Sequence, residues 1–134
     1  MPGISERLQQ SRRRLLAGRD NELARFETAI TAPELPFVVL SLFGPGGVGK
    51  TTLLRAYAEL CQARGIRIHQ LDGRLLEATP IALSAALRGV GESGEREVVL
   101  LDEFDQVAPL EAWLRSVYLP THTGDTLFVL AARR

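Results

Sequence analysis

LFGPGGVGKTT, residues 42–52, decides how this chain is read. Gly44, Gly49, Lys50 and Thr51 match the pattern G-x-x-x-x-G-K-[ST]. Glycine has no Cβ, so such a loop can turn successive backbone N–H groups inward onto an anion, and a helix starting just after it adds its positive end. Gly44, Pro45, Gly46, Gly47, Val48, Gly49, Lys50, Thr51 and Thr52 therefore form a candidate phosphate-binding set. Lys50 is expected to reach the β- and γ-phosphates, and the Thr51 hydroxyl to sit on Mg²⁺. Fifteen of the sixteen basic residues are arginine, which leaves Lys50 as the single lysine. A compact ammonium suits a place among phosphate oxygens better than a planar guanidinium does.

The flanks supply the context that this loop requires. FVVLSLF (37–43) is short, continuous and rich in β-formers, as in a strand buried on both faces. On the other side Leu53, Tyr57, Leu60 and Cys61 recur at helical spacing until Gly65 stops them. Upstream, Asp20 is a candidate N-cap for a helix with Leu23, Phe26 and Ile30 on one face, ended by Pro33 and Pro36. Residues 5–16 are expected to form a short helix with the arginine triplet of SRRR as a solvated face, so 1–17 reads as a helical extension and 18–134 as the core.

Downstream, IRIHQL (66–71) is a strand ending at Asp72-Gly73. Thr79-Pro80 opens a helix with Leu83, Leu87 and Val90 on one face, and GESGE (91–95) is a loop. EVVLL (97–101) is a third strand. Pro109 begins a helix with Leu110, Trp113, Leu114 and Val117 on its buried side, Trp113 as a core anchor and Pro120 as its stop. TLFVLA (126–131) is a fourth strand. Strands alternating with helices predict an α/β fold: a mainly parallel sheet of about four strands in a three-layer α/β/α arrangement.

In a parallel sheet the ends of the first and third strands share an edge. VVLLDEFD therefore brings Asp102 towards a metal held by Thr51, and places Glu103, one residue on, as the acceptor of a proton from an attacking water. Asp105 reads as a capping or loop-bonding residue. Arg133 follows the fourth strand to the same edge, where a guanidinium can touch a γ-phosphate.

Bulk properties exclude several alternatives. A chain of 134 residues with 46% hydrophobic side chains is the size of one domain. Sixteen acidic residues balance the sixteen basic ones, so no net field draws the chain to nucleic acid, and direct nucleic-acid binding is not expected. Cys61 has no partner for an internal disulfide. With no apolar run long enough for a membrane span, and no signal peptide at the start, a soluble cytoplasmic protein is expected.

GRDNEL, FVVLSLFGPGGVGKTTLL, VVLLDEFD and LFVLAARR, in that order, resemble the ATPase domain of the STAND branch of P-loop NTPases, relatives of AAA+ proteins, as in large ATP-binding transcriptional regulators. The resemblance implies a P-loop NTPase fold with the fourth strand between the first and third, and ATP with Mg²⁺ as ligands. It places Gly18 and Arg19 over the adenine, Lys50 and Thr51 on phosphate and metal, Asp102 as metal organiser, Glu103 as water-polarising base and Arg133 as a strand-end sensor. The family's hydroxyl residue before that arginine is replaced by Ala131 and Ala132. The family's fifth strand, outside the first, and a C-terminal effector domain would follow Arg134, so the sequence is expected to be either an excised piece of a longer regulator or a protein truncated at its core. The first strand is therefore expected to be an open edge that favours self-association. The expected function is slow Mg²⁺-ATP hydrolysis by a nucleotide-dependent switch that exchanges ATP and ADP. The alternative is a non-hydrolysing interaction module stabilised by its nucleotide.

Overall fold

A computed structural model describes residues 20–43, 48–122 and 124–132. Its core is a four-stranded parallel sheet of β1 (Val39–Phe43), β2 (Arg67–Asp72), β3 (Glu97–Asp102) and β4 (Thr126–Ala132), in the order β1-β4-β3-β2. The fourth strand thus lies between the first and third, as expected. Every residue of β4 is buried and β3 is buried up to Asp102, because helices cover both faces of these inner strands. The edge strands are less covered. In β1, Leu40 and Leu42 are buried, while Val39 and Ser41 are half-buried, so this strand is not sealed on both faces in the way its apolar run predicts. It also begins two residues later than FVVLSLF.

Helices α1 (Asp20–Thr31) and α2 (Val48–Ala63) pack on one face of the sheet with Leu40, Leu42, Val98, Leu100, Leu127 and Val129. The two helices are clamped together by Phe26 stacked on Tyr57, with ring centroids 3.9 Å apart and planes 5° from parallel. The Tyr57 hydroxyl donates to the Glu22 carbonyl at 3.1 Å, so a fully buried ring keeps its polar end satisfied. Gly65, at φ +70°, ends α2: Ile66 N–H donates to Cys61 O at 2.9 Å and Gly65 N–H to Gln62 O at 3.2 Å. The carbonyls at the end of α1 are taken up by Arg96, whose guanidinium donates to Ile30, Ala32 and Pro33 and pairs with Asp125.

The other face carries α3 (Pro80–Ala86), a 3₁₀ run (Phe104–Leu110) and a helix over residues 111–121 that we call α4. Thr79 caps α3, its hydroxyl accepting from Ala82 N–H at 3.2 Å. Leu87 and Val90 are buried, but in turns beyond the helix end. The expected single helix from Pro109 is corrected: helical structure starts at Phe104, and Pro109 lies inside the 3₁₀ run. In α4, Leu114–Tyr118 is a π-helical turn in which Leu119 N–H reaches back to Leu114 O. The wider turn returns Tyr118 rather than Val117 to the core, so Val117 is 52% exposed. Trp113 packs at the margin of this cluster and is half-buried rather than a core anchor. Helix α4 runs one residue past Pro120, to Thr121.

Candidate functional site

The strand register sets the site. Phe43 pairs with Ala132 and Asp72 with Asp102, so the four strands finish on one edge of the sheet, and α2 starts from that edge. Lys50 lies in the first turn of α2 and is only 6% exposed; Thr52 is also buried, and Thr51 is exposed. No acidic residue occupies that first turn. A buried cation at the positive end of a helix concentrates positive potential there, the reverse of the usual charge preference at a helix start, and this favours an anion.

Thr51 and Asp102 line the same cavity, of about 300 Å³, with Gln70 and Leu100 on the sheet side and Arg55 and Ala58 on α2. One hydroxyl and one carboxylate around a shared space fit a magnesium ion, which binds through one or two carboxylates and shares the remainder of its shell with phosphates and water. Asp102 Oδ1 accepts the N–H of Glu103 at 2.8 Å, which orients that carboxylate. Glu103 is half-buried at φ 54°, ψ 41°, the one non-glycine residue with positive φ among the described residues. A left-handed conformation costs a residue with a Cβ about 1–3 kcal/mol, so surrounding contacts must hold it.

Two features of this edge were not legible from the motifs. Asp72, the partner of Asp102 across the strands, is held by Arg74: its Oδ1 accepts Arg74 N–H at 2.9 Å and its Oδ2 accepts Arg74 Nη2 at 2.8 Å. The Arg74 side chain, and then its backbone N–H, hold the Asp72 carboxyl below its usual range, so it remains an anion engaged with arginine. Asp72-Gly73 signals only a strand end in the sequence. Asp105 Oδ1 is buried with no hydrogen-bond partner among the described residues, so that oxygen takes no part in the capping or loop bonding expected of Asp105. Gly18, Arg19, Gly44, Pro45, Gly46, Gly47 and Arg133, and the extension 1–17, lie outside the described residues.

A parallel sheet with flanking helices, and a lysine-bearing helix start on the edge where the strands end, define the class of P-loop NTPases. Residues 40–119 match the profile of the ATPase family associated with various cellular activities (AAA), and the chain belongs to that family. Solved structures agree in fold. A lysine-to-arginine mutant of Thermotoga maritima RuvB is 24% identical, with TM-score 0.54, over 91% of this chain and 39% of that one. An arginine-to-alanine mutant of the same protein is 26% identical, with TM-score 0.55, over 87% of this chain and 37% of that one. A third RuvB structure, described as a Holliday junction branch migration motor, is 24% identical, with TM-score 0.51, over 87% and 37%. The chain thus spans less than two fifths of the length of these last two structures and 39% of the first. No curated protein sequence matches it. Among the described residues no helix is long and apolar enough to cross a membrane.

Proposed function

We propose that this chain binds Mg²⁺-ATP and hydrolyses it slowly, as the nucleotide-dependent switch of a signalling or transcriptional regulator of the STAND branch. The observation that carries the reading is Lys50, nearly buried in the first turn of α2 on the edge where the strands finish. Lys50 withdraws negative charge from the β- and γ-phosphates. Thr51 and Asp102 hold Mg²⁺, Asp102 through water, and Glu103 takes the proton of the attacking water. Bound by those residues, Mg²⁺ would supply charge neutralisation at the phosphate oxygens. Gly44, Pro45, Gly46, Gly47, Val48 and Gly49 wrap the phosphates, Thr52 closes the binding set, Gly18 and Arg19 cover the adenine, and Arg133 senses the γ-phosphate.

Slow turnover follows from what precedes Arg133. Ala131 and Ala132 are 0% and 4% exposed and carry no hydroxyl to fix that arginine, and an arginine acting on the γ-phosphate is worth roughly 10³ to 10⁵ in rate. We assign residues 18–134 to the nucleotide-binding core. Its partners are ATP and ADP, an effector region of the same regulator, and a second chain pairing along the β1 edge. The junction-motor role of RuvB is not carried over: sixteen basic and sixteen acidic side chains leave no net charge for a nucleic-acid backbone.

Thermal unfolding with and without Mg²⁺-ATP tests binding. At about a thousand times the dissociation constant the nucleotide adds roughly 4 kcal/mol, and Lys50→Ala is expected to abolish the upward shift in Tm. A full shift in that variant would refute the site. Phosphate release tests hydrolysis: Glu103→Gln is expected to keep the thermal shift and lose the rate. A wild type that binds ATP and releases no phosphate favours the non-hydrolysing interaction module instead.

A further inference from the structure

Two turns meet at the edge that carries Asp102 and Glu103. One leaves β2 through the 3₁₀ turn Gly73–Leu75, the other leaves β3 through Glu103 into Phe104–Leu110. Gly73 is buried against the second turn. A Cβ built on Gly73 would stand 2.2 Å from the Glu103 carbonyl oxygen, 3.0 Å from its carbonyl carbon and 3.3 Å from the Asp102 carbonyl oxygen. All three neighbours are backbone atoms, so none can rotate away as the end of a side chain would. The first turn is also stiff, because Asp72 binds both the backbone and the guanidinium of Arg74.

The Glu103 peptide groups are held from three sides. Its N–H donates to Asp102 Oδ1 at 2.8 Å, its carbonyl accepts Gln106 N–H at 3.0 Å, and the same carbonyl rests on Gly73. These contacts keep a glutamate in a left-handed conformation that an L-residue with a full side chain avoids when it is free. Residue 73 therefore controls a backbone torsion, and with it the direction in which the Glu103 carboxylate leaves the chain.

We infer that Gly73 is a positioning residue for Glu103: the absence of a side chain at the end of β2 lets the Glu103 carbonyl seat there and aims its carboxylate at the attacking water. The inference rests on the reading of Glu103 as the base. It makes the β2–α3 turn a part of the hydrolytic apparatus through its backbone contact with Glu103.

Gly73→Ala in the full chain is the test. A Cβ there must displace the Glu103 carbonyl, so kcat for phosphate release is expected to fall by about tenfold or more while the Mg²⁺-ATP dissociation constant stays within about twofold. Single-turnover rates of Gly73→Ala, Glu103→Gln and the double variant separate positioning from general damage. Positioning predicts that the double variant is no slower than Glu103→Gln alone. An undiminished kcat in Gly73→Ala, or the same fold loss in the Glu103→Gln background, overturns the role of Gly73 and leaves Glu103 as base intact. A wild-type rate in Glu103→Gln alone removes the base and the positioning role together. If Gly73→Ala fails to fold by circular dichroism, Arg74→Lys, at a solvent-facing side chain, loosens the guanidinium clamp on the same turn while keeping the positive charge near Asp102 and Glu103. Its kcat is then expected to fall by about threefold at unchanged affinity, and an unchanged kcat overturns the proposal.

Discussion

Glu97 carries the sharpest stability prediction. It opens β3, is fully buried, and sits 2.6 Å from His69 Nε2 through Oε1. Its Oε2 accepts the Ser93 hydroxyl at 2.7 Å and the Ser93 N–H at 3.1 Å. Burial pushes this carboxyl up, but the bonds from Ser93, His69 and the backbone N–H groups of Gly91 and Ser93 outweigh it and bring the pKa from its ordinary 4.5 to about 2. The unfolded chain therefore binds a proton more readily than the folded one. The stabilisation is fully present above pH 4.5 and is lost as the pH falls towards 2. The gap between those two values corresponds to about 3 kcal/mol. In a domain of this size that is a fall in Tm on the order of 10 °C. Thermal unfolding of wild type and Glu97→Gln, followed by circular dichroism from pH 7 to pH 3, reads it directly. At neutral pH the variant is expected to be less stable by about 1–3 kcal/mol, the cost of donors left with a poorer acceptor. The two proteins converge as the pH falls, because wild type alone loses the carboxylate. Parallel pH profiles for the two proteins would refute the reasoning.

Three further outcomes follow from buried groups. Burial lowers the pKa of His122, and the negative charge of Glu97 opposes that shift, so its NMR titration midpoint is expected below the ordinary 6.5 and lower still in Glu97→Gln. Because the folded state favours neutral His122, its contribution to stability is lost as the pH falls through the window below 6.5. The buried Cys61 thiol is pushed up to about 12, so native protein is expected to resist a thiol reagent at pH 8 that labels the unfolded chain at once. Tyr57→Ala removes the ring stacked on Phe26 and its hydrogen bond to Glu22; a loss of about 3–5 kcal/mol in urea unfolding is expected.

Part of the candidate site was legible before any coordinates, because local chemistry dictates it. Lys50, Thr51 and Asp102 each sit next to an apolar run whose period names its element, and a parallel sheet puts strand ends on one edge. The register of Asp72 with Asp102, and the cavity shared by Thr51 and Asp102, agree with that expectation. Other features depend on partners far away in the chain. Glu97 looks like a polar residue at a strand start, yet it is fully buried because His69, 28 residues earlier, supplies a donor. Val117 belongs to the buried stripe of an ideal α-helix and leaves it because of a π turn, which no periodicity count contains. Asp105 reads as a loop-bonding residue and has a buried oxygen without a partner among the described residues.

The sequence by itself determined the strand and helix that flank LFGPGGVGKTT, the alternation that makes a parallel sheet, and the residue types of the G-x-x-x-x-G-K-[ST] pattern. Those are short-range matters: glycine's missing Cβ, the helical and strand periods, and the charge of one lysine. Only the tertiary structure decided that Lys50 is buried and that Glu103 is left-handed against Gly73. Burial and backbone-to-backbone contact between two turns thirty residues apart arise from packing, which no local pattern encodes.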